Sequence, residues 1–214
     1  MAYLIDETYF QRQYYVPNVE ELNSRSKEDL LLYIDQYVRL CLQDALGYVL
    51  FKDLDTYIVN GNLEPNAPQK WLNLVNGAEY TEHDRTYYWK GLKYNEGAFK
   101  VSLLTPFVFY HWLLDNQAKM SGMGEVVLEA KNAINASSNQ RLTKSWNTFV
   151  QLYQDKNYHY NNCVWYYEGV RVIDWMENNT NNDFVSLVKF LYDNKEDYPD
   201  ANITTYKFKN QFGL

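Results

Sequence analysis

The chain has 214 residues, 46% hydrophobic and 22% charged, with a formal net charge of −7. That size allows one globular domain or two small ones, able to bury roughly 70% of the unfolded surface without a covalent staple. The acidic balance argues against a protein that grips phosphates over a broad surface, which needs clustered Lys and Arg, though an acidic wall would let DNA slide past.

Twenty-one tyrosines are unusual; tyrosine supplies apolar area and one hydrogen bond, which suits cores with wet edges and protein–protein interfaces. Cys41 and Cys163 are the two cysteines and read as buried thiols of a reducing compartment. No apolar run approaches the ~20 residues of a membrane span. The start MAYLIDETYF lacks the basic beginning of a signal peptide, so the expected site of synthesis and use is the cytoplasm.

Residues 1–25 are aromatic and polar without clear period, and Tyr9, Phe10 and Tyr14 read as part of an arm that packs against something. Ser26 is expected to cap a long helix running to about Tyr57, with acids in its first turn. Its apolar stripe is Leu31, Ile34, Val38, Cys41, Ala45 and Val49, and Asn60-Gly61-Asn62 ends it. A short helix follows over 67–76, with Pro68 in its first turn, anchors Trp71, Leu72 and Val75, and Gly77 past its end. AEYTE and TYYWKGL around an HDR corner predict a β-hairpin placing Tyr80, Tyr87 and Trp89 together.

Val101 to Leu114 is apolar nearly all round and predicts a buried helix, with Pro106 in its first turn and Ser102 or Thr105 as cap. Ser121 to Gly124 breaks it, and 122–136 carry no clear signal. Ser137 or Ser138 then caps a helix bearing Leu142, Trp146, Phe149 and Tyr153. Residues 163–176 fit either a hairpin around Glu168-Gly169 or a helix, and Asn178 to Asn182 reads as a polar loop. Phe184, Leu187, Val188 and Leu191 mark a last helix, closed before Pro199. The expected fold class is mainly α, a helical bundle with a small β-hairpin insertion and extended terminal arms. The expected division is an arm over 1–25, a helical domain over 26–198 with its hairpin near 78–92, and a tail over 199–214.

Candidate chemistry is sparse. Of the three histidines, His83 falls in a hairpin corner and His111 inside an aromatic helix as a core residue. His159 and Cys163 have zinc-compatible spacing but no second pair. Glu125 and Glu129 lie one helical turn apart, a spacing common on solvated faces. No phosphate loop, GxGxxG or GxSxG occurs, and no nucleophile, base and orienting group converge. The reading is a non-enzyme with no catalytic, metal or cofactor-binding residue and no cofactor. The segment KWLNLVNGAEYTEHDRTYYWKGLKY could be an aromatic platform for a sugar or a base, or a staple. Trp71 beside Leu72 and Val75 favours the staple.

The order LGYVLFKDL, KWLNLVNGAEY, YYWKGL, SLLTPFVFYHWL, SGMGEV, then DFVSLVKFLYDNKEDYP and FKNQFGL, resembles the head–tail connector (neck ring) proteins of tailed bacteriophages. The likeness is closest to those of phages of Bacteroidales, including the crAss-like group. It covers about 26–156 and 184–214, with no counterpart for 157–182. Its most specific parts are Trp71, Leu74, Gly77, Trp89, Gly91 and Leu92, expected as structural core, and Asn210-x-Phe212-Gly213-Leu214. The resemblance implies a structural virion protein of the neck, assembled in the host bacterial cytoplasm. Its partners would be copies of itself in a ring, commonly of twelve, the portal protein, and adjacent tail or ring proteins. DNA would pass through the channel without specific binding, and no membrane is involved. The expected protein interfaces are Tyr9, Phe10 and Tyr14 in the arm and Tyr206, Phe208, Phe212 and Leu214 in the tail. The tail aromatics could instead fold back on their own domain. The rival class is a soluble carbohydrate- or peptide-binding module using exposed aromatics.

Overall fold

The computed structural model describes residues 3–19, 25–82, 84–116, 119–121, 124–126, 138–154, 166–167, 170–171, 184–199, 201 and 203–210. It is mainly helical, with five α-helices and small two-stranded antiparallel hairpins among those residues. His83, His159, Cys163, the Glu168-Gly169 turn, the Asn178 to Asn182 loop, Phe212 and Leu214 lie outside them.

Helix α1 spans Arg25–Thr56 and buries Leu30, Ile34, Val38, Cys41, Ala45 and Leu46, the steps of three and four that put one stripe on one face. Gly47 interrupts it with φ 76° and ψ 166°. Past this point the stripe shifts register: Val49, expected inside, is 66% exposed, and Leu50, Phe51 and Leu54 are buried instead. Asn60 (φ 52°) and Gly61 (φ 77°) follow the helix. Two successive left-handed residues make the tight primed turn of a two-residue hairpin, here Ile58–Val59 (β1) with Asn62–Leu63 (β2).

Helix α2, Gln69–Asn76, begins after Pro68 and ends at Gly77. Hairpin β3/β4, Ala78–Glu82 with Arg85–Trp89, has Tyr80 opposite Tyr87, and their rings stack at 5.7 Å. A second hairpin, β5 (Lys93–Glu96) with β6 (Phe99–Ser102), takes Val101 and Ser102 out of the expected helix. Helix α3 therefore starts later, at Leu104, and runs to Asp115. The cap position is Leu103, which makes no side-chain cap bond, so neither Ser102 nor Thr105 occupies it. Ser102, one residue earlier, accepts from Leu104 N at 3.0 Å through its Oγ and donates to Leu92 O at 2.5 Å. Strands β7 (Lys119–Ser121) and β8 (Gly124–Val126) pair. Glu125 is thus on a strand and not on a helix, and Glu129 lies outside the described residues.

Helix α4 spans Ser138–Gln154, as its stripe predicts. Strands β9 (Tyr166–Tyr167) and β10 (Val170–Arg171) pair antiparallel, the hairpin alternative for that stretch. Helix α5, Leu187–Asp193, is capped by Ser186, whose side chain accepts from Lys189 N. Phe184 precedes that cap and so is not on the helix. It bridges to Tyr88 beside β4 and is 54% exposed. Helix α3 packs between α1 and α4, and α4 packs on α5.

The six residues of the tryptophan motif lock α2 onto the end of β4. Trp71, Leu74 and Leu92 are fully buried, and Trp89 nearly so. The carbonyl of Leu74 accepts twice, from Trp89 Nε1 at 2.9 Å and from Leu92 N at 3.1 Å. Gly77 and Gly91 have φ of 98° and 92°; Gly77 presses on the main chain of Trp89 and Lys90, and Gly91 on that of Val75 to Gly77. A Cβ on Gly91 would lie 2.6 Å from Asn76 C and from Gly77 N. One on Gly77 would lie 2.7 Å from Trp89 O. The glycines are required because two main chains cross where no side chain fits. Phe190 stacks on Trp89 at 5.4 Å, and Tyr198 covers Trp71 at 5.8 Å while donating to Lys70 O at 2.5 Å.

The N-terminal segment does not project as an extended arm. Tyr3, Leu4, Ile5, Phe10, Val16 and Val19 are buried, because its apolar residues find a face along α1 and the β1/β2 turn. Leu4 N donates to Gly61 O at 2.7 Å, and Tyr3 OH donates to Asp55 at 2.7 Å. The Arg39 guanidinium lies 4.0 Å over the Tyr3 ring and pairs with Asp55 at 2.8 Å.

Candidate functional site

The most distinctive polar construction is the groove that holds residues 203–210. Aromatic rings of α3 and α4 form its floor. Phe107 and Phe149 meet at 4.6 Å, and the Tyr206 ring stands edge-on against Phe149 at 5.2 Å, Tyr153 at 5.1 Å and Trp146 at 5.5 Å. Edge-to-face packing sets the electropositive ring edge against a π face. The Tyr206 hydroxyl donates to Asp44 on α1 at 2.6 Å. Burial pushes this phenol well above its ordinary pKa, so it stays a donor.

Above that floor the tail is held by its main chain. Gln154 Nε2 donates to Tyr206 O at 2.7 Å, and Tyr206 N donates back to Gln154 Oε1 at 2.8 Å. Asn147, seven residues earlier on α4, does the same to Lys209, both bonds at 2.8 Å. Trp146 Nε1 donates to Lys207 O at 2.7 Å, and Thr143 Oγ1 to Asn210 O at 3.4 Å. Thr204 N donates to Asp44 O at 2.9 Å. The Lys209 ammonium hydrogen-bonds the Tyr110 hydroxyl and lies 5.0 Å from the Trp146 ring. A side-chain amide that meets both N–H and C=O of one residue reproduces the paired bonds of an antiparallel ladder.

Tyr206 and Phe208 therefore lie back on their own domain, partly buried against its core. Phe10 is buried, and Tyr9 and Tyr14 are partly buried. The Tyr14 ring meets Phe109 at 5.5 Å. The clamp residues Asn147, Gln154 and Trp146 were not singled out for this role by sequence reasoning. The sequence shows only amides at positions 147 and 154 beside the α4 stripe; that Gln154 is 1% exposed is seen in the structure alone.

A second feature is a cavity of about 340 Å³ between the N-terminal segment and β6. Tyr9, Arg12, Tyr14, Phe99, Lys100 and Thr105 are among its lining residues. Arg12 lies 3.5 Å over the Phe99 ring. Thr105 Oγ1 is buried with no hydrogen-bond partner among the described residues. Neither Trp71 nor Trp89 lines this cavity.

His111 stacks on Tyr37 at 4.1 Å and meets Phe107 at 4.8 Å. Burial pushes its pKa down to about 4, against the opposing pull of Asp115, so the ring is neutral. Cys41 is a free buried thiol whose pKa burial pushes up. On α5, Lys189 pairs with Asp193 at 2.6 Å and Glu82 at 3.4 Å, and Tyr80 donates to Asp193 at 2.6 Å. Among the described residues no three His, Cys, Asp or Glu side chains gather as a metal site. None of the helices there is long and apolar enough to cross a membrane.

Comparison with known proteins finds no matching family model, no matching curated protein and no matching solved structure.

Proposed function

We infer that this chain is a structural subunit of a phage neck, a head–tail connector that assembles as a ring, joins the portal to the tail and extends the DNA channel. The observation that carries this reading is how the aromatic residues are used. Every residue of the motif that resembles the connectors, from Trp71 to Leu92, is occupied in joining α2 to β4. The indoles of Trp71 and Trp89 are inside, where they offer no platform to a ligand. The terminal segments pack on this scaffold and leave Gln11, Arg12, Gln13, Thr204, Thr205, Lys207 and Asn210 exposed, where a neighbouring subunit could meet them. A net charge of −7 suits a channel wall that DNA passes without adhering. A heterologous contact repeated about an axis closes into a ring, and many small contacts then hold the joint together.

The test is assembly. The purified chain is mixed with a portal protein of a tailed phage of Bacteroidales, and the product is examined by light scattering and cryo-electron microscopy. A ring of this chain seated on the portal is the expected result. A chain that ignores the portal at micromolar concentration refutes the reading.

The N-terminal cavity favours a second reading, a soluble carbohydrate- or peptide-binding module. Its volume of about 340 Å³ and its aromatic and basic lining fall within the range of small-ligand sites. Glycan-array binding that Tyr9→Ala and Phe99→Ala abolish, in a chain that stays monomeric beside the portal, would establish it.

A further inference from the structure

We propose that the groove on α4 is an exchangeable peptide clamp, and that in the assembled ring it takes residues 203–210 of the neighbouring copy in place of its own. The inference rests on the ring assembly above and names its subunit contact. Six hydrogen bonds run between α4 side chains and the main chain of residues 206–210. Bonds to main chain carry no record of which copy supplies the strand. Grooves that bind extended peptides use this division, with main-chain bonds for affinity and a few pockets for specificity. Here the pockets are the aromatic box for Tyr206 and the Tyr110–Trp146 site for Lys209.

The connection permits the exchange. Tyr198 is fixed under Trp71, Ala201 and Ile203 pack partly buried against the core, and among the described residues the next tail hydrogen bond to the body is Thr204 N to Asp44 O. Between them, the only main-chain bond in the described residues is the local Ala201 N to Tyr198 O. A stretch of six residues such as 199–204 can span at most about 20 Å, enough to redirect the strand toward a groove on an adjoining subunit. Because exchange conserves each contact, its cost is reduced to the entropy of association. A ring held on a platform supplies that through effective concentrations on the order of millimolar. Charge adds direction: residues 203–210 carry Lys207 and Lys209 and no acid, on a chain of net charge −7.

The test uses the full chain in a Cys163→Ser background, leaving Cys41 buried. Copies carrying Thr143→Cys are mixed with copies carrying Asn210→Cys, assembled on the portal and treated with a short bismaleimide. Covalent dimers that appear in the mixture and are absent from either variant alone are the expected result. Rings without such dimers overturn the exchange and leave the connector reading standing. Failure to form rings removes both. A second measurement avoids variants altogether. Synthetic peptide ITTYKFKN, added in about hundredfold excess, should compete for the groove and leave the wild-type chain monomeric beside the portal. Undiminished ring yield overturns the proposal.

Discussion

Replacing Gly91 by alanine is expected to destabilise the fold by roughly 1–5.5 kcal/mol. The methyl would sit 2.6 Å from Asn76 C and Gly77 N and 2.7 Å from Val75 O. All three are main-chain atoms and cannot rotate away. Forcing α2 and β4 apart to admit it carries an over-packing cost of about 1–3 kcal/mol. The backbone at φ 92° adds about 1–3 kcal/mol for a side chain in sparsely populated space. The stiffer unfolded chain gives back about 0.4–1 kcal/mol. Against a typical total of 5–15 kcal/mol this is a large fraction. Gly97 is the control, because it has φ 61° and a Cβ there would meet nothing within 4 Å. Gly97→Ala should therefore cost only about 0–1.5 kcal/mol net. Urea melts followed by tryptophan fluorescence measure both, since Trp71 and Trp89 flank the crossing. At an m-value of about 2 kcal/mol/M, the Gly91→Ala midpoint should fall by roughly 0.5–2.7 M. If the two variants agree within about 0.5 kcal/mol, the range of harmless surface changes, the close crossing is not what holds this hairpin.

Gln154→Ala removes both bonds to Tyr206, about 1–3 kcal/mol of local stability. Trypsin cleavage after Lys207 or Lys209 should quicken roughly tenfold or more, with near-native circular dichroism; an unchanged rate would show that the clamp holds nothing. Asp193→Asn leaves Lys189, 8% exposed, with Glu82 at 3.4 Å in place of its partner at 2.6 Å. A loss of about 3–5 kcal/mol is expected, or roughly 6–20 °C in Tm by calorimetry. His111 contributes a pH dependence of definite sign. Its folded pKa, about 4, lies below the unfolded value of about 6.5, so the unfolded chain binds more protons between them. Its contribution to stability therefore falls as pH drops through that window. Urea melts at several pH values should show that His111→Phe loses this part of the slope; identical slopes would mean the ring is charged within the stack.

Local signals sufficed where one stretch of chain made its own structure. The α4 stripe of Leu142, Trp146, Phe149 and Tyr153 has only one helical face, and the structure follows it. The β3/β4 hairpin and the Gly77 stop were legible for the same reason. The reading of α1 failed past Gly47 because one non-helical residue rotates everything after it, turning Val49 outward and Phe51 inward. The β5/β6 hairpin was missed because Val101 and Ser102 continue the apolar run of α3. A strand and a buried helix look alike in such a run. The groove was only half legible: Tyr206 and Phe208 stood out as aromatic, whereas Asn147 and Gln154 look like ordinary surface amides until the strand they hold is in place.

The sequence by itself determined that the chain folds as a mainly helical protein around buried tryptophans, because periodicity, caps and turn glycines act over a few residues. Tertiary structure alone decided where the ends go. Tyr3 meets Asp55 and Tyr206 meets Asp44 across separations of 52 and 162 residues. No local pattern encodes such contacts, since each depends on a face that exists only once α1, α3 and α4 have packed.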